Sequence, residues 1–353
     1  GTLNNGATAT LTIDVTVDCN ALNLSNIDLG AATPYNVFIL GNITQPSADT
    51  EGKLAVGGNA NLGGYSVGDK LANTNGAEDV LVVGGNLIYT SGRVYNGNVV
   101  FGGTSNLPVS SVSIEEGTLR QEANVIDFAA ATTYLEGLST QLGGYAPNGT
   151  TTFQWGTLNL SNGDPFFNIF SVNAADLNAA HTVEINVPNG ATVLVNIYGT
   201  TVDWNGGLFV NGTSIRNVIY NFPEATAITI SGIDVKGSFL APFADLTFPA
   251  GIITGQTIVK SMTGSGQFNL SPFIGNVPSN QTIVNVASVT NSSAPDPDAA
   301  NNTSSVSVAF TTNGNGGGNG NTNWQQIGNF PAGQVVTTLE SDGQGTLYAG
   351  TAS

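Results

Sequence analysis

Residues 54–59 read Leu-Ala-Val-Gly-Gly-Asn, and residues 81–86 read Leu-Val-Val-Gly-Gly-Asn. The same phrase recurs as Phe38-Ile39-Leu40-Gly41-Asn42 and as Val99-Val100-Phe101-Gly102-Gly103. Each copy is a short apolar run closed by glycine, and the glycines return at intervals of 16 to 27 residues. Self-similarity at that period is the signature of stacked rungs, in which each unit buries its apolar strand against its neighbours. The expectation is a right-handed β-solenoid in which glycine supplies the positive φ of each turn.

Working outward, strands continue from residue 182 to 274. Val183–Val187, Val193–Ile197, Val218–Tyr220, Ile228–Ile230, Gly237–Ala241, Leu246–Phe248 and Gln256–Val259 follow about one rung apart. Between the two strand-rich stretches the period changes. Val125, Phe128, Ala131, Leu135, Leu138 and Leu142 fall three or four apart, which predicts a long amphipathic helix near 124–143. Asn124 or Asp127 is placed to cap its start, and Gly143-Gly144 to stop it. Gly137 inside it costs about 1 kcal/mol relative to Ala. A shorter helix is expected to run from Asn173 through Ala174–Ala180. The solenoid therefore spans residues 19–275, with the long helix covering an apolar flank.

The flanks read differently. In residues 1–18, Ala9, Leu11, Ile13, Val15 and Val17 alternate with Thr and Asp, the pattern of one half-buried strand that needs a sheet to join. Residues 276–311 alternate again on either side of a loop at Ser293–Asn302. Residues 312–323 form a Gly/Asn linker. Residues 324–353 open what resembles a propeller blade or serves as a strand-exchange tail.

Composition narrows the function. The 353-residue chain has 7 basic and 24 acidic residues, a net charge of −17, and only 9% charged positions. Nucleic-acid binding needs clustered Lys and Arg, which seven scattered basic residues do not provide, and the same deficit argues against docking on anionic lipid. No run of residues suffices for a membrane helix. Cys19 is the single cysteine, so no internal disulfide exists, and a small buried side chain is its expected role. Richness in Asn, Thr, Ser and Gly is typical of secreted proteins. The chain opens without Met or a signal-peptide pattern and is expected to be mature, processed or excised from something longer.

The central region, about residues 20 to 275, resembles the choice-of-anchor A family of bacterial surface proteins. The likeness is carried by Tyr35–Asn42, Glu51–Asn59, Val218-Ile219-Tyr220-Asn221-Phe222, and Gly237-Ser238-Phe239-Leu240-Ala241-Pro242 followed by Gly255-Gln256. It implies an exported, cell-attached module without catalytic residues. The second half is also similar in style to the ice-binding β-solenoid family, where a long helix flanks the rungs. Ice binding wants flat, regular rows of Thr, and no such row is visible along the sequence. Residues 3–17 and 282–309 look like two parts of one Ig-like bacterial envelope repeat. That likeness implies an Ig-like β-sandwich module formed from both flanks, with the solenoid inserted in one of its loops.

Catalytic signals are sparse, and no enzyme is expected. His181 is the single histidine and is read as a polar residue at a helix end. Asp234, Lys236, Asp245 and Lys260 fall near neighbouring rungs, as a polysaccharide-cleaving site would require, but solvated surface charges are the simpler reading. Glu78-Asp79 and Glu115-Glu116 read as solvated turns. Asp296 and Asp298, with Asn301 and Asn302, offer oxygens to Ca²⁺ but lack the spacing of a full calcium loop. Trp155, Phe166, Phe167, Phe170 and Trp204 are candidates for a sugar-binding face or for core packing. The leading expectation is an extracellular structural protein of the cell surface, self-associating into filaments by strand complementation through residues 7–17 or the tail, or joined to other cell-envelope components. An adhesin for glycan or host protein is the alternative, and ice binding or polysaccharide cleavage are minor ones.

Overall fold

The computed structural model describes residues 24–278 and the strands Gln281–Ser288, Thr303–Phe310, Val335–Ser341 and Leu347–Ala352. Gln281–Ser288 pairs antiparallel with Thr303–Phe310, and Val335–Ser341 with Leu347–Ala352. The assembly strand at Ala9–Val17, Cys19, the Asp296/Asp298 loop and the 312–323 linker lie outside the described residues. By compactness the chain divides into two units, and Leu24–Pro278 makes up the described part of one of them.

Leu24–Pro278 is a β-solenoid of parallel strands with three faces. On the first face the spatial order is Phe167–Asn173, Thr192–Tyr198, Val218–Asn221, residues 239–241, residues 257–259, Val37–Ile39, Leu54–Val56, Asp79–Val83, Asn98–Phe101 and Leu119–Gln121. The chain thus enters in the middle of the stack at residue 37 and builds outward to residue 121. It crosses back through the helix, resumes at the far end, and builds inward until residues 257–259 pair with Val37–Ile39. The two halves meet strand to strand although about 220 residues separate them.

The crossing element, α1 (Phe128–Gly143), has 16 residues, and Asp127 Oδ1 caps it by accepting from the Ala130 N–H at 3.0 Å. A helix of that size is about 24 Å long. Five strand spacings of roughly 4.8 Å give the same length, which is the distance from the Leu54–Val56 rung to the Thr192–Tyr198 rung. Ala131, Leu135 and Leu142 pack on Phe38, Ala55, Leu194, Ile219, Leu240 and Ile258, which point out of the solenoid. Val37 and Ile39, on either side of Phe38, point in. Strands buried on both sides read as unbroken apolar triplets. Gly137 has nothing near it, so its helix penalty is offset by packing on the opposite side. The last turn is held by polar groups: Asn221 Nδ2 donates to the Ser139 carbonyl at 2.9 Å, Asn196 Nδ2 to the Leu142 carbonyl at 2.8 Å, and the Tyr198 hydroxyl to the Gly143 carbonyl at 2.6 Å. The Tyr198 hydroxyl satisfies a carbonyl that a helix end otherwise leaves unpaired, and the two amides tie the last turn of α1 to the first face.

The rung-closing glycines serve a different purpose from the one expected. Gly57, Gly84 and Gly102 are absent from the positive-φ positions. A Cβ on Gly57 would lie 2.2 Å from the Leu40 carbonyl oxygen, on Gly84 2.5 Å from that of Gly57, and on Gly102 2.3 Å from that of Gly84. Close approach of stacked backbones, not turn conformation, demands glycine there.

Where the halves join, buried amides add to the apolar contact. Asn36 Nδ2 donates to the Gly255 carbonyl at 2.8 Å and the Asn269 carbonyl at 3.2 Å, while its Oδ1 accepts from the Gly52 N–H. Gln256 Nε2 donates to the Thr33 and Tyr35 carbonyls, and Gln45 Nε2 to the Gly266 carbonyl. The two ends of the unit leave as one ribbon, Leu24–Asn26 paired antiparallel with Asn276–Pro278. The interior is filled: Trp204, Tyr220, Phe222 and Phe239 stack together. A void of about 10 Å³ lined by Leu158, Val172, Trp204 and Tyr220 is no larger than one water molecule needs and wholly apolar, so it is no ligand site.

Candidate functional site: the threonine face

The first face is roofed by α1. The second stacks Thr201–Trp204, then residues 227–230, 245–248, 261–264, 43–45, 60–62 and 87–89, all parallel. Side chains alternate along each strand. Val202, Ile228, Leu246, Met262 and Ile43 point inward and are buried. Their neighbours point out, and register fixes who stands beside whom. Thr229 pairs with Thr247, Thr247 with Thr263, and Thr263 with Thr44. Four threonines, three from successive rungs and one from the distant start of the solenoid, form one row at the strand spacing of about 4.8 Å. Thr44, Thr247 and Thr263 are exposed and Thr229 is half-buried. This corrects the reading that the chain has no such row.

The row continues at one end to Asp203, and at the other to Asn61 and then Ile88, which is 50% exposed. A second row runs beside it. Asp245 and Ser261 belong to it, and the Asp245 carboxylate is met by Lys260 Nζ at 3.3 Å and the Ser261 hydroxyl at 2.7 Å. Further along come Asn42, Asn59 and Asn86. Asn42 Oδ1 accepts the Asn59 N–H at 2.7 Å, Asn59 Oδ1 the Asn86 N–H at 2.9 Å, and Asn86 Oδ1 the Thr104 N–H at 2.8 Å. The asparagines that follow the glycines in sequence are thus a hydrogen-bonded ladder that holds this edge of the face in register. χ1 of β-branched side chains is restricted, so strict register carries each hydroxyl and methyl to equivalent positions rung after rung. The result is a surface with a fixed repeat along the row, its charges confined to Asp203 at one end and to the Asp245–Lys260 pair beside it.

The other sequence candidates scatter. Asp234 lies on the third face beside Lys236 at 3.9 Å, and Asp245 on the threonine face beside Lys260, so the four do not form one site. No group of three metal-binding side chains occurs among the described residues. His181 is exposed and follows directly on the short helix α2 (Ala174–Ala179) and its cap Ala180. Of the aromatic candidates, Phe167, Phe170 and Trp204 are buried, whereas Trp155 is 98% and Phe166 49% exposed. The acidic pairs are not free turns: Glu78 is paired with Lys53, Glu115 with Arg93, and both Asp79 oxygens accept from Arg120 at 2.6 Å. That fork of hydrogen bonds, outweighing partial burial, holds the Asp79 carboxyl below the usual carboxylate range.

No helix among the described residues is long and apolar enough to cross a membrane. Comparison with known proteins gives no match among curated sequences. Solved structures with a similar arrangement include an ice-binding protein from the Antarctic ascomycete Antarctomyces psychrotrophicus, at 12% identity and TM-score 0.36 over 69% of this chain and 98% of that one. Another is a glycosylated ice-binding protein from an Arctic yeast, at 12% identity and TM-score 0.32 over 70% of this chain and 94% of that one. At those scores neither carries an argument about this chain. The match to a family model is broader: the model of an ice-binding-like adhesive domain covers residues 28–270, the whole body of the solenoid. The chain belongs to that family of ice-binding-like adhesive domains.

Proposed function

We propose that this is an extracellular adhesive protein whose contact surface is the threonine face, and that the face binds a solid surface with a matching repeat, ice being the simplest. One observation carries the reading: Thr229, Thr247, Thr263 and Thr44 stand in register one strand apart. A fixed row of hydroxyl and methyl groups offers an ordered lattice the same pairing at every rung. An irregular ligand gains nothing from that regularity. The chain's scarcity of basic residues, 7 in 353, disfavours an acidic target. The family it belongs to is adhesive and ice-binding-like in kind, and the resemblance to choice-of-anchor A proteins supports export and display. The reading is non-catalytic.

The test is incorporation of the fluorescently labelled full chain into a growing ice hemisphere, together with thermal hysteresis. The wild type should adsorb to ice, and Thr247→Tyr with Thr263→Tyr should abolish adsorption while leaving the melting temperature nearly unchanged. A wild type that is excluded from ice as completely as the double variant would overturn ice as the ligand.

A second reading, filament assembly by strand complementation, is supported by the alternation of Ala9, Leu11, Ile13, Val15 and Val17. Deleting residues 1–18 should then abolish polymers seen by electron microscopy, and unchanged polymers would sink it.

A further inference from the structure

Trp155 stands apart from every other large side chain of the solenoid unit. Thr150–Gln154 and Thr157–Ser161 form an antiparallel hairpin in which Gln154 pairs with Thr157, so Trp155-Gly156 is its two-residue turn. Both turn residues have positive φ, 54° at Trp155 and 77° at Gly156. Such a turn favours Asn-Gly, and a bulky residue there is a true backbone outlier. The ring is also 98% exposed. The protein therefore accepts backbone strain in order to hold its largest apolar side chain in water. Strain of this kind concentrates where a side chain is needed for binding.

The surroundings say what the ring fits. The His181 N–H donates to the Gly156 carbonyl at 2.8 Å, and the imidazole lies so close that a Cβ on Gly156 would be 2.7 Å from its Cδ2. One rung further, the Gly207 N–H donates to the His181 carbonyl, and Asn205 Nδ2 donates to Asp203 Oδ1. Exposed Gln154, His181 and Asn205 thus follow the indole along one corner, offering amide and imidazole groups. An anchor for a protein partner works inside a ring of packed, water-excluding contacts, and the residues named here are polar. A sugar ring needs less, because its C–H face covers one indole while its hydroxyls take hydrogen bonds from neighbours. The charge of −17 disfavours acidic polysaccharide.

We propose that the Trp155 hairpin tip is a binding site for neutral glycan, with the indole as stacking platform and Gln154, His181 and Asn205 as hydrogen-bonding groups. Asn205 borders the Asp203 end of the threonine row, but the site uses none of the four threonines and does not depend on their function. A single ring gives weak affinity, and an adhesin displayed in many copies gains the rest through multivalency.

The experiment titrates the full chain with neutral β-linked hexaoses of glucose and mannose, read by a glycan array and by calorimetry. Saturable binding is expected, weakened at least about tenfold, 1.4 kcal/mol, by Trp155→Ala and less by Trp155→Phe. Trp155→Asn sharpens the test because Asn suits the turn: it should hold or raise the melting temperature and still lose the glycan. The Thr247→Tyr, Thr263→Tyr variant should bind glycan like the wild type. No binding up to about 10 mM, binding unaffected by Trp155→Asn, or a lowered melting temperature of that variant would each overturn the proposal.

Discussion

The helix face and the threonine face are built from the same rungs, yet they differ in what lies above them. On the helix face Phe38, Leu240 and Ile258 are buried beneath α1, and the strands are apolar on both sides. On the threonine face the same turn of chain carries Ile43 inward and Thr44 outward, with no protein element of the solenoid unit covering the hydroxyl row. The difference teaches which face holds the fold and which is free for contact. A roofed face contributes stability and cannot bind anything large. An open face contributes through its inner row alone, so its outer row is available to be set by a ligand.

The comparison predicts its own largest effect. Leu135 is fully buried between α1 and the first face. Leu135→Ala removes that packing and leaves a cavity, so it should cost about 2–5 kcal/mol, measured by denaturant unfolding. If the cost were below the range of a surface change, the helix would be an ornament and the helix face as open as the threonine face. Asn36→Ala comes next. It belongs to the seam that both faces share, where the Gly255 and Asn269 carbonyls and the Gly52 N–H would lose their partner. Unpaired buried groups should make it cost about 1–3 kcal/mol, with hydrogen exchange rising first around residues 255–269 and 33–36. Exchange rising equally everywhere would mean that the halves are not joined at this seam.

The same contrast explains what the sequence made legible. Triplets such as Leu54-Ala55-Val56 are visible because both sides are buried, and the three- and four-residue spacing of Ala131, Leu135 and Leu142 is visible because a helix needs one buried stripe. Asp127 could be read as a cap for the same local reason. The threonine row could not be read, since Thr44 meets Thr263 only because the second half of the solenoid docks on the start of the first. No local pattern reports a stacking order. Aromatic roles were hidden for a related reason: Trp155 and Trp204 are each followed within two residues by glycine, but Trp204 fills the interior and Trp155 projects from a hairpin tip. Glycine was read correctly as punctuation and wrongly as turn conformation, because close approach between rungs is a property of the stack.

The smallest expected effect is the sharpest for function. Thr263→Val keeps the branched shape and the methyl group while removing the hydroxyl. Because Thr263 is exposed and its strand neighbour Met262 supplies the buried contact, stability should move by less than about 0.5 kcal/mol. Adsorption to the target surface then reports which half of the threonine side chain matters. A loss close to that of the tyrosine variants would assign recognition to hydroxyl pairing, whereas retained adsorption would assign it to the row of methyl groups and the water they order. A large loss of stability instead would mean that the hydroxyl row is part of the fold, and the distinction between a roofed structural face and an open binding face would fail at the residue where it should be clearest.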